Sequence, residues 1–76
     1  MKLDTKRIDE AVLALLYLGR HAGNRTWKGH DRAALDRLYE RDFITDPATK
    51  AKSVVFTDEG LQEAERLCRK LLAAED

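Results

Sequence analysis

The sequence predicts a mainly α-helical fold with one β-hairpin, in the order helix, connector, helix, two-stranded hairpin, helix. Apolar residues recur at helical spacing near both ends of the chain. Between these regions, Pro47 breaks any helix and the alternating segment "KSVVFT" follows it, which is typical of a turn and a strand. Because no linker-like tract separates these elements, we expect residues 1–76 to form a single domain.

The first helix is predicted to run from residue 5 to residue 22. Asp4 or Thr5 can cap its start, and Gly23 is a typical stop just beyond its last turn. One face of this helix is apolar and consists of Ile8, Ala11, Val12, Leu15 and Leu18.

The same helix carries further apolar side chains outside that face. Leu13 and Tyr17 fall nearly opposite it at about 100° per residue, and Leu16 lies on its flank. A helix that is apolar on two sides is either enclosed in its own domain or packed on another chain. Because a chain of 76 residues has few elements to enclose it, we predict a homodimer through the first and last helices, with Leu13, Leu16, Tyr17 and Leu67 at the interface. The alternative is that Tyr17 lies exposed at the surface.

A polar and basic connector, "NRTWKGH", spans residues 24–30. Trp27 is expected to fill the small core rather than to serve as a platform for a ligand. Asp31 then caps the second helix, "DRAALDRLYERD". The inward face of that helix is predicted to consist of Ala34, Leu35 and Leu38.

The outer face of the second helix has no net charge. Arg32 with Asp36, and Arg37 with Glu40, have the spacing of ion pairs on a helix surface. A solvated helix face is therefore one interpretation, since a reader of DNA would need these arginines free to reach guanine edges.

The segment after the second helix is predicted to form the hairpin. Asp46 can bond the backbone of a turn beyond it. In the strand that follows, Val54 and Phe56 point to one face. Thr57 can cap the last helix, whose apolar stripe consists of Leu61, Ala64, Cys68, Leu71 and Leu72, with Leu67 at its edge.

Composition excludes several classes of protein. The 14 basic and 14 acidic residues balance, so no overall field attracts nucleic acid or an anionic membrane. The longest apolar run, "AVLALLYL", is far shorter than the roughly 20 residues that span a bilayer. A single cysteine excludes an intramolecular disulfide and suits a reducing compartment, so we expect a cytoplasmic protein without a membrane partner.

Catalytic or metal-binding residues are scarce. Cys68 lies on an apolar stripe and is expected to be buried and inert. His21 and His30 lie at ends of helices, and their spacing does not match a common zinc site. We therefore predict a protein that is not an enzyme and carries no cofactor or metal.

The run "ALDRLYERDFI", followed by "SVVFTDEGLQEAERL", resembles winged-helix regulators of the MarR and PadR type. The matching features are a Leu-x-x-Leu recognition helix, a two-stranded wing, and a Thr-x-x-Gly start of the next helix. The resemblance implies a small winged-helix-like, DNA-binding domain. Nearly the whole chain also resembles a family of short bacterial proteins of unknown function, which share W-K-G, L-D-R-L, K-A-K-S-V-V and T-D-E-G in this order.

Two functions follow as hypotheses. The first is binding of DNA, through a basic rim formed where the connector and the hairpin meet; its predicted contacts are Arg25, Lys28, Arg32, Lys50 and Lys52. The alternative is a dimeric module that binds an unknown protein partner and no nucleic acid, which the balanced charge favours. The position of the cations distinguishes the two hypotheses: DNA binding requires the cations of the connector and the hairpin to cluster on one side of the molecule.

Overall fold

The computed structural model describes residues 1–74. In chain order the elements are α1 (Thr5–Leu18), β1 (Arg20–His21), β2 (Arg25–Trp27), α2 (Arg32–Glu40), β3 (Ser53–Val55) and α3 (Asp58–Leu72). The strands form one antiparallel sheet in the order β1-β2-β3, and α1 packs against α2, α3 and β2. The predicted fold class, mainly helical with a β-hairpin, is confirmed.

The first helix ends four residues earlier than predicted. It stops at Leu18 with Gly19 as its cap, because residues 20–21 leave the helix and pair with β2. Ala22 and Gly23 turn the chain between the two strands with φ angles of 45° and 83°. Gly23 is therefore a residue of a hairpin turn, where positive φ is needed, and not a helix stop.

The second apolar face of α1 is covered inside the chain itself. Leu13, Leu16 and Leu67 are 1%, 0% and 2% exposed and belong to the same core. This corrects their placement at a dimer interface, because side chains enclosed in the core have no surface to offer a second copy. Tyr17 is half-buried, and the guanidinium of Arg20 lies 4.4 Å from the centre of its ring.

The predicted strand is present, but its main partner differs from the prediction. Val54 and Phe56 face the core, as expected. The partner of β3 is β2, in a register that places Thr26 opposite Val54. The segment before Pro47 contributes a single bridge, between Ile44 and Phe56. The central strand of the sheet therefore comes from the predicted connector.

Trp27 does not fill the core, contrary to the prediction, and is 57% exposed. Side chains alternate across β2, and the inward position belongs to Thr26. The Thr26 hydroxyl is fully buried and donates to the Leu16 carbonyl at 2.6 Å, near the end of α1. Because Thr26 takes the inward position, Trp27 must point to the opposite face of the sheet.

Both later helices start where the sequence predicts. Asp31 accepts from the amide of Ala34, and Thr57 accepts from the amide of Gly60 at 3.0 Å. The apolar stripe of α3 is rotated from its predicted position. Its buried side chains are Ala64 and Leu67, Leu61 and Cys68 are half-buried, and Leu71 and Leu72 are exposed.

Candidate nucleic-acid interface

Four of the five predicted DNA contacts lie on the β2–β3 pair or just beyond its end. Arg25 donates to the Ser53 hydroxyl at 3.3 Å, across the two strands. Beyond the paired residues, the amide of Lys28 donates to the carbonyl of Lys52 at 3.1 Å. Lys50 lies two residues before Lys52. We call Arg25, Lys28, Lys50 and Lys52 the basic strip; sheet pairing brings together two segments that are remote in sequence.

Lys28 has a different role from the other members of the basic strip. Its ammonium donates to the carbonyls of Pro47 at 2.6 Å and Thr49 at 2.7 Å, and the residue is half-buried. These bonds hold the loop that carries Lys50 against the end of β2. Because both acceptors are neutral, Lys28 still contributes a full positive charge to the strip.

Arg32, the fifth predicted contact, is paired within its own helix. Its Nε donates to an Asp36 carboxylate oxygen at 2.9 Å, and this hydrogen bond raises the pKa of Arg32 above its ordinary value. Asp46 lies close enough to act in the same direction. The charge of Arg32 is thus compensated locally, and we do not count it in the basic strip.

Arg37 also has an acidic partner, though not the predicted Glu40. It binds both oxygens of Asp9 on α1, over distances from 2.7 to 3.0 Å. The Asp9 side chain is only 8% exposed, so its charge requires a cation that reaches it from α2. Both arginines of α2 are therefore held in ion pairs, and this helix offers no unpaired cation to a DNA groove.

The outer face of the sheet combines a cation with two stacked aromatic rings. Thr26 and Val54 face the core, so the flanking positions of β2 and β3 face outward. The register aligns His21, Arg25 and Val55 across the three strands. Trp27 lies beside them, with its ring centre 5.3 Å from that of His21 and an angle of 30° between the rings. We call His21, Arg25, Trp27, Ser53 and Val55 the outer sheet face.

Sequence reasoning missed the aromatic part of this surface. The segment "RTW" alternates exposed, buried and exposed residues as a strand does, and "AGN" just before it is typical of a hairpin turn. The turn-like "AGN" could have indicated a hairpin that leads into β2, whereas the burial of Thr26 is known only from the structure. A three-residue strand is nevertheless too short for its alternation to stand out from a polar connector.

Positive charge is concentrated in the part of the chain that builds this surface. Residues 19–30 and 45–57 hold five cations and one acid, a net charge of +4 in a chain whose total is zero. The cations are Arg20, Arg25, Lys28, Lys50 and Lys52, and the acid is Asp46. The balanced total hides this separation, because the compensating acids lie elsewhere.

Apart from this surface, the molecule has a polar groove where α1, α2 and α3 meet. Two of its carboxylates are held in ion pairs: Arg37 binds Asp9, and Arg66 binds Glu63 at 2.7 Å. The hydrogen bond from Arg66 lowers the pKa of Glu63 below its ordinary range.

Within residues 1–74, no three His, Cys, Asp or Glu side chains gather as ligands of a metal would. Among the helices described, none has the length and apolar character needed to cross a membrane.

Fold and surface together define a small helical domain with a basic, aromatic-bearing sheet. The chain belongs to the family described as "Domain of unknown function (DUF6429)", which matches residues 4–74. It is 54% identical over 71 residues to "Uncharacterized protein y4hR" of Sinorhizobium fredii (strain NBRC 101917 / NGR234), covering 93% of this chain and 96% of that relative. No solved structure matches the chain. The resemblance to a small family of unknown function is thus confirmed, while that to winged-helix regulators is not.

Proposed function

We propose that this protein binds nucleic acid through the basic strip and the adjoining outer sheet face. The observation that carries the proposal is that pairing of β2 with β3 brings four cations from two remote segments together, along the strands and at their end. Affinity for nucleic acid comes mainly from neutralising phosphates, so a local cluster matters more than the total charge.

The mode of binding in this proposal differs from that of a winged-helix regulator. Recognition helices read bases in the major groove with unpaired side chains. Here Arg32 is bound by Asp36 and Arg37 by Asp9, so contacts from α2 would require breaking ion pairs. Arg25, Lys50 and Lys52 are exposed; Arg25 stands on β2, and the two lysines lie in the segment that leads into β3. The sheet is therefore the surface that the proposal assigns to the ligand.

The proposal is tested by removing charge from the basic strip. Lys50→Gln combined with Lys52→Gln should weaken binding of a labelled oligonucleotide at least tenfold at ~50 mM salt, measured by fluorescence anisotropy. The matched control is Lys6→Gln combined with Lys70→Gln, which removes the same charge from α1 and α3. If both double variants weakened oligonucleotide binding equally, the effect would be one of overall charge. That result would contradict binding through the basic strip.

A second candidate function is homodimerisation through α1 and α3, supported by a different surface. Leu15 and Leu18 are 44% and 61% exposed, and they continue a face of α1 that begins at Ala11. Ala11 and Leu71 line one shallow groove between the helices. We call Ala11, Leu15, Leu18 and Leu71 the outer apolar face.

The occupant we propose for the outer apolar face is a second copy of this chain. The same groove is bordered by Arg7, Glu10 and Lys70, so its rim carries both signs of charge. In a two-fold interface a patch meets itself, and a rim with both signs can then pair with its own image. Sedimentation at high micromolar concentration should detect a dimer that Leu15→Glu with Leu18→Glu abolishes. A wild-type monomer under those conditions would remove this candidate, and a dimer that binds no nucleic acid would leave it standing alone.

A further inference from the structure

We infer that Trp27 and His21 form a base-stacking platform, so that the preferred ligand is single-stranded DNA or RNA rather than a duplex. The inference rests on the proposed nucleic-acid function and narrows it to a class of ligand. Its physical basis is an exposed aromatic pair that shares the outer sheet face with Arg25, next to the rest of the basic strip.

The Trp27 ring is exposed but held in place. It is 57% exposed, yet the neighbouring His21 ring stacks on it and both side chains stand on paired strands. Trp27 is not needed to close the core, since Thr26 takes the inward position of β2 with 0% exposure. The exposed indole of Trp27 is held in position by the stacked His21 ring. It can therefore stack with one more flat ring from a ligand.

The surroundings of the Trp27 ring favour a nucleobase over an apolar protein side chain. Arg25 stands on the same outer sheet face, and Lys28 follows Trp27 directly in the chain. Opposite Trp27 in the sheet is Ser53, next to Lys52. Because neighbouring residues of a strand point to opposite faces, Arg25 is the cation that shares the face of Trp27, while Lys28 and Lys52 stand at the end of the strand pair. A base stacked on Trp27 would thus have Arg25 on its own face for a flanking phosphate. Aromatic platforms within a positively charged track are the usual means of holding single strands.

A duplex cannot use this arrangement without opening. Its bases are stacked on one another, so their faces are hidden and only their edges are accessible in the grooves. A single strand offers its base faces at no such cost. The basic strip alone would bind both forms, and Trp27 would add affinity only for the single strand.

Trp27 is the sole tryptophan of the chain, so its fluorescence reports directly on the proposed contact. We would titrate the protein with oligo(dT), oligo(U) and a mixed-sequence duplex of equal length, at ~50 mM salt. Saturating quenching by a single strand, with little quenching by the duplex, is the expected result. Comparison of oligo(dT) with oligo(U) distinguishes DNA from RNA as the better ligand, and quenching by either supports the platform.

Substitution of Trp27 tests whether stacking contributes affinity. Trp27→Ala should weaken single-strand binding about tenfold in an anisotropy titration and change duplex binding less than about twofold. Trp27→Phe should recover part of the single-strand affinity that Trp27→Ala loses, because a phenyl ring can still stack. Such recovery would separate loss of stacking from misfolding. Tyr39→Ala is the matched control, since Tyr39 is an exposed aromatic on α2, outside the sheet.

The outcomes separate the two proposals. If single strand and duplex bind equally, with salt dependence, and Trp27→Ala has no effect, the stacking platform is wrong and the basic strip stands. If neither ligand binds or quenches at high micromolar protein, both proposals fail. Quenching together with a selective loss in Trp27→Ala supports both.

Discussion

Gly60 lies where the start of α3 touches the backbone of Phe43. A Cβ added to Gly60 would overlap the carbonyl group of Phe43. That oxygen also accepts the amide of Thr57 at 3.1 Å, so it cannot move aside without losing a hydrogen bond. We expect Gly60→Ala to lower the free energy of unfolding by about 3 kcal/mol. Gly29→Ala, at a site with open space, is the control in urea unfolding; equal stability of the two variants would contradict the close contact.

The ion pair between Asp9 and Arg37 joins α1 to α2. Removing the arginine leaves a buried carboxylate without its partner, which is much more costly than losing an exposed pair. Arg37→Gln should therefore lower the melting temperature by about 5–10 °C, followed by circular dichroism. Glu40→Gln removes the partner that helical spacing predicts for Arg37. This variant should change the melting temperature by less than about 2 °C. The reverse order would show that Glu40 is the true partner.

Glu63 makes part of the stability depend on pH. The hydrogen bond from Arg66 lowers its pKa in the folded state, so the folded protein holds this proton less tightly than the unfolded chain. The contribution is present above the ordinary glutamate pKa of about 4 and is lost as pH falls through the lower, folded value. The difference in urea midpoint between wild type and Glu63→Gln should thus shrink from pH ~5 towards pH ~2. A difference that does not change with pH would contradict this account.

At the scale of elements, the start of α3 depends on one side chain with two bonds. The Thr57 hydroxyl accepts from the amide of Gly60 and donates to the carbonyl of Asp42, which has a φ of 62°. Thr57→Ala should lower the free energy of unfolding by about 1–2 kcal/mol, measured in urea. Thr57→Ser keeps the hydroxyl and should recover most of that loss. Failure of serine to do so would mean that the methyl group, not the cap, stabilises this junction.

Elements defined by neighbours in sequence could be predicted, whereas those defined by distant partners could not. Asp31 and Thr57 were recognisable as caps because they bond amides three residues ahead. β2 was not recognisable, since its three residues are stabilised by pairing with β3, 28 residues further on. The end of α1 was misplaced for the same reason: residues 20–21 leave the helix to pair with β2.

Across the molecule as a whole, the sequence predicts the cations of the proposed nucleic-acid surface but not its aromatic part. Cations in two segments were visible in the sequence, and sheet pairing explains why four of them converge. The pairing of Arg37 with Asp9 could not be foreseen, because it depends on how α1 and α2 pack. The exposure of Trp27 depends on which face of β2 is covered, and that follows only from the buried hydroxyl of Thr26.

The most direct test of the central claim, that this protein binds nucleic acid through its basic sheet, is the salt dependence of oligonucleotide binding. A labelled single strand would be titrated with wild-type protein at ~50 and ~200 mM salt. If about three phosphates are neutralised, affinity should fall by roughly 20-fold between the two conditions. Micromolar binding that weakens to this extent is the predicted result. Absence of binding at ~50 mM salt, even at high micromolar protein, would contradict the claim.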